Sequence, residues 1–261
     1  MKANSYVKVE SLEEAYELVK KSPFNKVLGG GLWLKKGNVN ADALIDLSKL
    51  GLDKIEDKGE YVEVGALVTQ RAFEKSEIIK SIGHGLLSEA VSHIMGPAFR
   101  ECATIGGSVA GKFGFSDLLT ALLVFKTTLV FYPSGEKSLE EYLKEVGQTK
   151  EILTHVRIKK CMAKTYFKKV AITALDYPII NVAIKRCPKS GHYAVAVGSR
   201  AGVSELAYKV NEYLNNGGTD FEKAAGLIED MKFADSLSAK ADYRKHLAKV
   251  YVKRGLEEVS K

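Results

Sequence analysis

Two glycine clusters are the residues best suited to chemistry in this sequence. Gly29-Gly30-Gly31 follows the short apolar run Val27-Leu28. Gly106-Gly107 lies inside Arg100–Asp117, which reads RECATIGGSVAGKFGFSD. Paired glycines adopt backbone conformations that a Cβ forbids and let another group approach the main chain closely. N–H groups turned outward in such a loop form a concavity that suits phosphate. Two such loops, far apart in the chain, are expected to hold the two phosphates of one dinucleotide from opposite sides.

Which phosphate chemistry this is depends on spacing. The pattern GxGxxG fails at the first cluster, because Leu34 stands where the last glycine belongs and no acidic residue follows at the usual offset. Residues Gly106–Lys112 match GxxxxGK, but Phe113 follows where a hydroxyl must reach Mg²⁺. A nucleoside triphosphate site built on Gly106–Lys112 is therefore the runner-up reading, and an assembly protein that binds no cofactor is a third. Three cysteines (Cys102, Cys161 and Cys187), widely spaced and without CxxC, supply neither an iron–sulfur cluster nor a structural zinc. Cys102 reads as a small buried residue. His84 and His93 lack the i,i+4 spacing of a helical metal pair.

The elements that must position these clusters are read from periodicity. Ser11 and Glu14 form a capping box before a helix over 12–21, and Lys26–Leu28 is a strand feeding the first cluster. Ala43–Leu47 completes a small first lobe ending at about residue 52. Tyr61–Ala66 opens a second lobe as a strand, Thr69 caps a short helix, and Leu86–Ile94 forms a longer one stopped at Gly96-Pro97. The second glycine loop, the apolar segment Asp117–Phe125 and a strand at Leu129–Tyr132 follow. Beyond Cys161 the pattern turns β-rich (Tyr166–Val170, Ile179–Ile184, Tyr193–Val197), with a hairpin turn at Pro188–Gly191. Three helices close the chain: Glu205–Leu214, one opening at the capping box Thr219–Glu222 and running to about Met231, and Ala239–Val259.

Composition bounds the rest. The 261 residues are 46% hydrophobic and 27% charged, with a formal net charge of +7, which suits a globular protein with a real core. The apolar runs are too short to cross a bilayer, so no membrane insertion is expected, and the N-terminus has no secretory h-region. The scattered basic residues are not interleaved with an aromatic nucleic-acid module, so no nucleic acid is expected as a partner. With reduced thiols as the default, a cytoplasmic location is expected.

At this point the sequence resembles a known family. Arg100, Ala103-Thr104-Ile105-Gly106-Gly107-Ser108, Ala110 and then Ser116-Asp117 look like the "R-N-x-A-T-I-G-G-N-x-A … D" signature. That signature belongs to the FAD-binding medium subunit of molybdenum hydroxylases, the xanthine dehydrogenase and carbon monoxide dehydrogenase family. Val27–Leu34 is similar to its "A-G-G-T-D-L" loop, and Gly65–Thr69 to its "G-A-x-x-T". Tyr166–Val170 with Leu175-Asp176 resembles "Y-x-K-V … L-D", and Asp235 with Tyr243-Arg244 resembles "D … Y-R".

The resemblance implies an α+β protein. A two-lobed FAD-binding domain of the vanillyl-alcohol-oxidase/PCMH type would span 1–160 (lobes about 1–52 and 53–160). An α/β C-terminal domain, a small antiparallel sheet plus helices, would span 161–261. It implies FAD held between the lobes, with Gly29, Gly30 and Gly31 facing one side of the pyrophosphate and Thr104, Gly106, Gly107 and Ser108 the other. Asp117 would accept from a ribityl or ribose hydroxyl, and Lys168 would lie near the flavin ring. Val27, Leu28, Leu32, Trp33, Ala103, Ala110 and Ser116 are implied as further cofactor-binding residues. It further implies a [2Fe–2S] subunit and a molybdopterin-binding subunit as partners, with NAD or another electron acceptor. The sequence departs from the family where Gly31-Leu32 replace a Thr-Asp pair, where Ser108 replaces Asn, where Ile172-Thr173 replace basic residues, and across Lys112–Phe115.

Overall fold

The computed structural model describes residues 1–37, 39–147 and 149–261. Its residues group into two compact units, between which the chain alternates. The first holds Met1–Phe73, Pro97–Gly111 and Thr127–Ile158, and the second Glu74–Gly96, Lys112–Lys126 and Lys159–Lys261.

The first unit contains two sheets. β1 (Lys2–Lys8), β2 (Lys26–Leu28) and β3 (Asn40–Asp46) form a parallel sheet in the order β1-β3-β2. A parallel pair needs a crossover, and the helix Leu12–Lys21 supplies the one between β1 and β2. Its start is fixed by Ser11, whose hydroxyl accepts from the Glu14 N–H at 3.1 Å, while Glu14 reaches back to the N–H of Glu10. β4 (Ile55–Asp57), β5 (Tyr61–Gly65), β6 (Thr127–Tyr132), β7 (Gly135–Ser138) and β8 (Ile152–Lys159) form the second sheet, in the order β4-β5-β8-β6-β7. An apolar cluster spans both sheets: Val9, Ala15, Ile45 and Leu47 pack with Leu52 and Ile152.

The second unit is an antiparallel sheet with helices on both faces. β9 (Lys164–Val170), β10 (Ile180–Arg186), β11 (Tyr193–Gly198) and β12 (Glu205–Leu206) run in the order β12-β11-β10-β9. Alternation decides the faces. Ile180, Val182, Ile184, Val195 and Val197 pack with residues of the helices Tyr208–Asn215, Phe221–Gly226 and Ala241–Ser260. The intervening residues, Asn181 among them, face the helix Asp117–Leu123. Gly255 admits the last helix to the sheet, since a Cβ there would strike Tyr166 and Ile184.

Several sequence expectations shift. Glu205-Leu206 is a strand, so the following helix begins at Tyr208. Asp220, not Thr219, caps the next helix, its carboxylate accepting from the Lys223 N–H at 3.0 Å. Pro97 stops no helix. It starts one, Pro97–Cys102, as its fixed φ favours at a first helical position.

Candidate functional site

The first glycine cluster is a tight turn packed against the approach to the second. β2 ends at Leu28, and Gly31 takes a left-handed conformation (φ 71°) from which the helix Leu32–Lys36 begins. A Cβ on Gly30 would overlap the carbonyl oxygen of Cys102, and one on Gly29 would lie 2.7 Å from Thr104 Oγ1. At Gly30 two stretches of main chain touch, and at Gly29 the Thr104 side chain occupies the space a Cβ would take. Among the described residues, the N–H groups of Gly29, Gly30 and Gly31 donate to no main-chain acceptor. They are therefore open to an anionic ligand.

The second cluster is not the expected loop. Ile105–Ala110 is a helix with Thr104 as its N-cap. The Gly106 N–H donates to Ala66 O (2.9 Å), that of Gly107 to Thr104 Oγ1 (3.1 Å) and that of Ser108 to Thr104 O (3.0 Å). These amides are used inside the protein, so neither the outward-facing second loop nor the phosphate loop over Gly106–Lys112 exists as such. Gly106 is a packing glycine, since a Cβ would lie 2.6 Å from that of Ala66. The Gly65–Thr69 stretch braces the cluster: Ile105 N–H donates to Val68 O at 2.8 Å, and Thr69 bridges to Thr104. What this segment offers a ligand is the Thr104 hydroxyl, whose oxygen accepts from Gly107 while its proton is free to turn outward. Ser108 is held by a residue the sequence did not flag. Gln70, 3% exposed, donates from Nε2 to Ser108 Oγ at 2.9 Å.

The remaining residues expected here divide between packing and surface. Val27 joins the apolar cluster of the first unit, and Leu28 and Leu32 are half-buried. The Trp33 ring meets Phe99 edge-on (centroids 6.5 Å apart), with Lys36 Nζ 5.1 Å above it. Ala103 is buried, and its carbonyl accepts from the Gln70 N–H. Ala110 is exposed. So is Cys102, against the expectation that it is buried: it is the last residue of the helix Pro97–Cys102, of which Arg100 is the buried residue.

In the second unit, Ser116 caps the helix Asp117–Leu123, accepting from the Leu119 N–H at 3.2 Å. Asp117 is 3% exposed. Burial pushes its carboxyl up to about 6, against the opposing pull of Asn181 and Lys169. Asn181 Nδ2 donates to Asp117 Oδ1 at 2.6 Å. Thr120 Oγ1, 2.8 Å from Asn181 Oδ1 and 2.6 Å from Ser204 Oγ, extends the chain of polar contacts. Gly198 makes room for this network, because a Cβ there would strike Asn181 and Thr120. Lys168, expected beside the flavin, points to the other face of β9: it is exposed, with Nζ 5.7 Å over the Tyr251 ring. Its neighbour Lys169 approaches Asp117, with Nζ 3.9 Å from Oδ2. Strand alternation separates adjacent lysines in this way, but only the pairing of β9 with β10 shows which of them faces Asp117. Two of the "D … Y-R" residues make internal contacts, while Tyr243 is exposed: buried Arg244 donates to the carbonyls of Ile179 and Ser199, and Asp235 accepts from the Ala241 N–H at 2.8 Å.

Residues 2–160 match the model of the FAD binding domain in molybdopterin dehydrogenase, and the chain belongs to that family. FAD is accordingly its cofactor, and the chain is an oxidoreductase subunit of the molybdenum hydroxylase type. It is 25% identical to the glyceraldehyde dehydrogenase medium chain of Sulfolobus acidocaldarius, across 98% of both chains. It is 24% identical to the nicotine 6-hydroxylase medium subunit of Paenarthrobacter nicotinovorans, across 97% of this chain and 96% of that one. Among solved structures, it resembles carbon monoxide dehydrogenase from Hydrogenophaga pseudoflava with a TM-score of 0.90 (23% identity, 98% of this chain and 96% of that one). For quinoline 2-oxidoreductase from Pseudomonas putida 86 the TM-score is 0.86, at 22% identity over the same shares of the two chains. The α+β fold read from the sequence is the fold of these structures. No helix among the described residues is long and apolar enough to cross a membrane.

Proposed function

We propose that this chain is the electron-transfer subunit of a multi-subunit molybdenum hydroxylase. In this reading it takes electrons from a [2Fe–2S] subunit, which a molybdopterin-binding subunit feeds, and passes them to NAD or another acceptor. When bound, FAD supplies the redox chemistry, and the protein supplies binding, orientation and electrostatics. Gly29, Gly30 and Gly31 offer main-chain N–H groups to the pyrophosphate, and Thr104 adds its hydroxyl. Asp117 accepts from a ribityl or ribose hydroxyl. Functional domains at 1–160 and 161–261, the first ending with the family match, and a cytoplasmic location belong to the same reading.

The observation that carries it is the turn at Gly29–Gly31, its amides unused by the main chain and its glycines demanded by contact with Cys102 and Thr104. The residues present thus fit a diphosphate, although Gly31 and Leu32 bring no polar side chain to it. The iron–sulfur step falls to a partner because three widely spaced cysteines cannot ligate such a cluster. The test is to purify the complex from its native source. FAD, iron–sulfur and molybdopterin-bearing subunits that co-purify, with an FAD absorbance that bleaches on adding the complex's substrate, are the expected outcome. A chain that purifies with FAD and no such partners would overturn the electron-transfer assignment.

A further inference from the structure

Residues 159–204 carry nine lysines and arginines against a single carboxylate, Asp176. The second unit gathers several of these cations at one end of its sheet. Lys164 opens β9 and pairs in register with Arg186, which closes β10. Lys189 lies in the turn that follows, where the Cys187 N–H donates to His192 O and the Gly191 N–H to Cys187 O. The Lys159 N–H donates to the carbonyl of Lys126 at 3.0 Å, and Phe125, next in the chain to Lys126, lies 5.4 Å beneath Lys185 Nζ. Among the described residues, Lys126, Lys159, Lys164, Arg186 and Lys189 pair with no carboxylate. Arg186 rests instead 5.6 Å over the Tyr193 ring, and its buried Nε has no acceptor. Lysines elsewhere in the unit are neutralised within the chain: Lys245 and Lys249 share Glu229, Lys209 meets Asp230 and Lys253 meets Glu222. Met162, between Lys159 and Lys164, is 72% exposed.

We propose that this end of the sheet is a docking surface for an acidic face of a partner subunit, with Met162 entering an apolar pocket and the flanking cations meeting carboxylates. The inference rests on the proposed reading that the chain works in a multi-subunit complex. A field of one sign, without counter-charges of its own, steers an oppositely charged surface to it. An apolar residue within a polar rim is the usual anatomy of a protein interface. Nucleic acid fits less well, because it binds through exposed rings on which bases stack. The rings beside these cations, Phe125 and Tyr193, lie under Lys185 and Arg186. The surface is also distinct from the surroundings of Asp117. Lys164 and Lys169 lie near opposite ends of β9, about 16 Å apart at the usual rise of a strand.

The test purifies the complex from its native source with the wild-type chain, with the double variant Lys159→Glu/Lys189→Glu, with Met162→Asp and with Lys253→Glu as control. Lys159, Met162 and Lys189 are exposed, and circular dichroism reports that each variant folds. A zero-length carbodiimide joins lysines to carboxylates in contact, and mass spectrometry of the peptides locates the links. Links from Lys159, Lys164 or Lys189 to Asp or Glu of another polypeptide are expected. The double variant is expected to hold its partner at least about tenfold more weakly, since like charges then face each other. Met162→Asp is expected to weaken the association as well, and Lys253→Glu to leave it unchanged. Raising salt from about 0.1 M to about 1 M is expected to loosen the wild-type contact, as the Debye length falls from about 10 Å to about 3 Å. Links found only to a second copy of this chain, or an association that nuclease abolishes, overturn the inference. So does a folded double variant that keeps its partners as wild type does, and the complex itself then stands. A wild-type chain that purifies alone overturns the underlying reading and this inference with it.

Discussion

Asp117 carries opposite consequences for stability and for binding. Its carboxyl titrates at about 6 in the folded chain, above its ordinary value of 3.8. The folded state therefore holds a proton that the unfolded state has already lost, and stability falls as pH rises through that window. Above it, the full penalty of burying the charge remains. Asp117→Asn is expected to raise the stability of the apo chain at pH 7.5 by about 1–3 kcal/mol, with the gain shrinking towards pH 4, while FAD affinity drops. Urea melts at the two pH values check the sign: a variant equally destabilised at both would refute the account of this residue. Asp117 was legible in the sequence because it closes a motif. Asn181, Thr120 and Lys169 were not, because strand pairing and helix docking bring them to it from distant parts of the chain, and their spacing along the sequence encodes none of this.

At the scale of elements, the two glycine clusters are glycine for different reasons. Gly30 lies against the Cys102 carbonyl with no space for a methyl group. Gly30→Ala is expected to cost about 1–3 kcal/mol, the usual price of overpacking, and to abolish FAD binding by forcing the turn away from Thr104. Thermal melts and FAD titration of the same sample measure both effects, and unchanged FAD affinity would dissociate this turn from the site. Thr104→Ala removes the N-cap of Ile105–Ala110 and is expected to cost about 1 kcal/mol, read by the same melts. Local preference favoured a loop at Gly106-Gly107, since glycine inside a helix loses about 1 kcal/mol to alanine. Packing of Gly106 on Ala66 outweighs that preference, and such contacts are invisible until the fold brings the segments together. The helix over 12–21, by contrast, was readable to the residue, because its cap and its apolar stripe are both local.

For the whole molecule, motifs spread from Val27 to Arg244 carried the family resemblance, and the match over residues 2–160 agrees with it. The interleaving of the compact units was not legible. Segments 74–96 and 112–126 join the C-terminal residues in one unit, and nothing in their composition marks a crossing. The central claim is that this chain holds FAD on its own residues. Its most direct check is the visible spectrum of the purified full-length protein after incubation with FAD and desalting. A flavin band at about 450 nm that survives desalting in wild type and is lost in Gly30→Ala is expected. A wild-type protein that stays colourless, while folded by circular dichroism, would overturn the account.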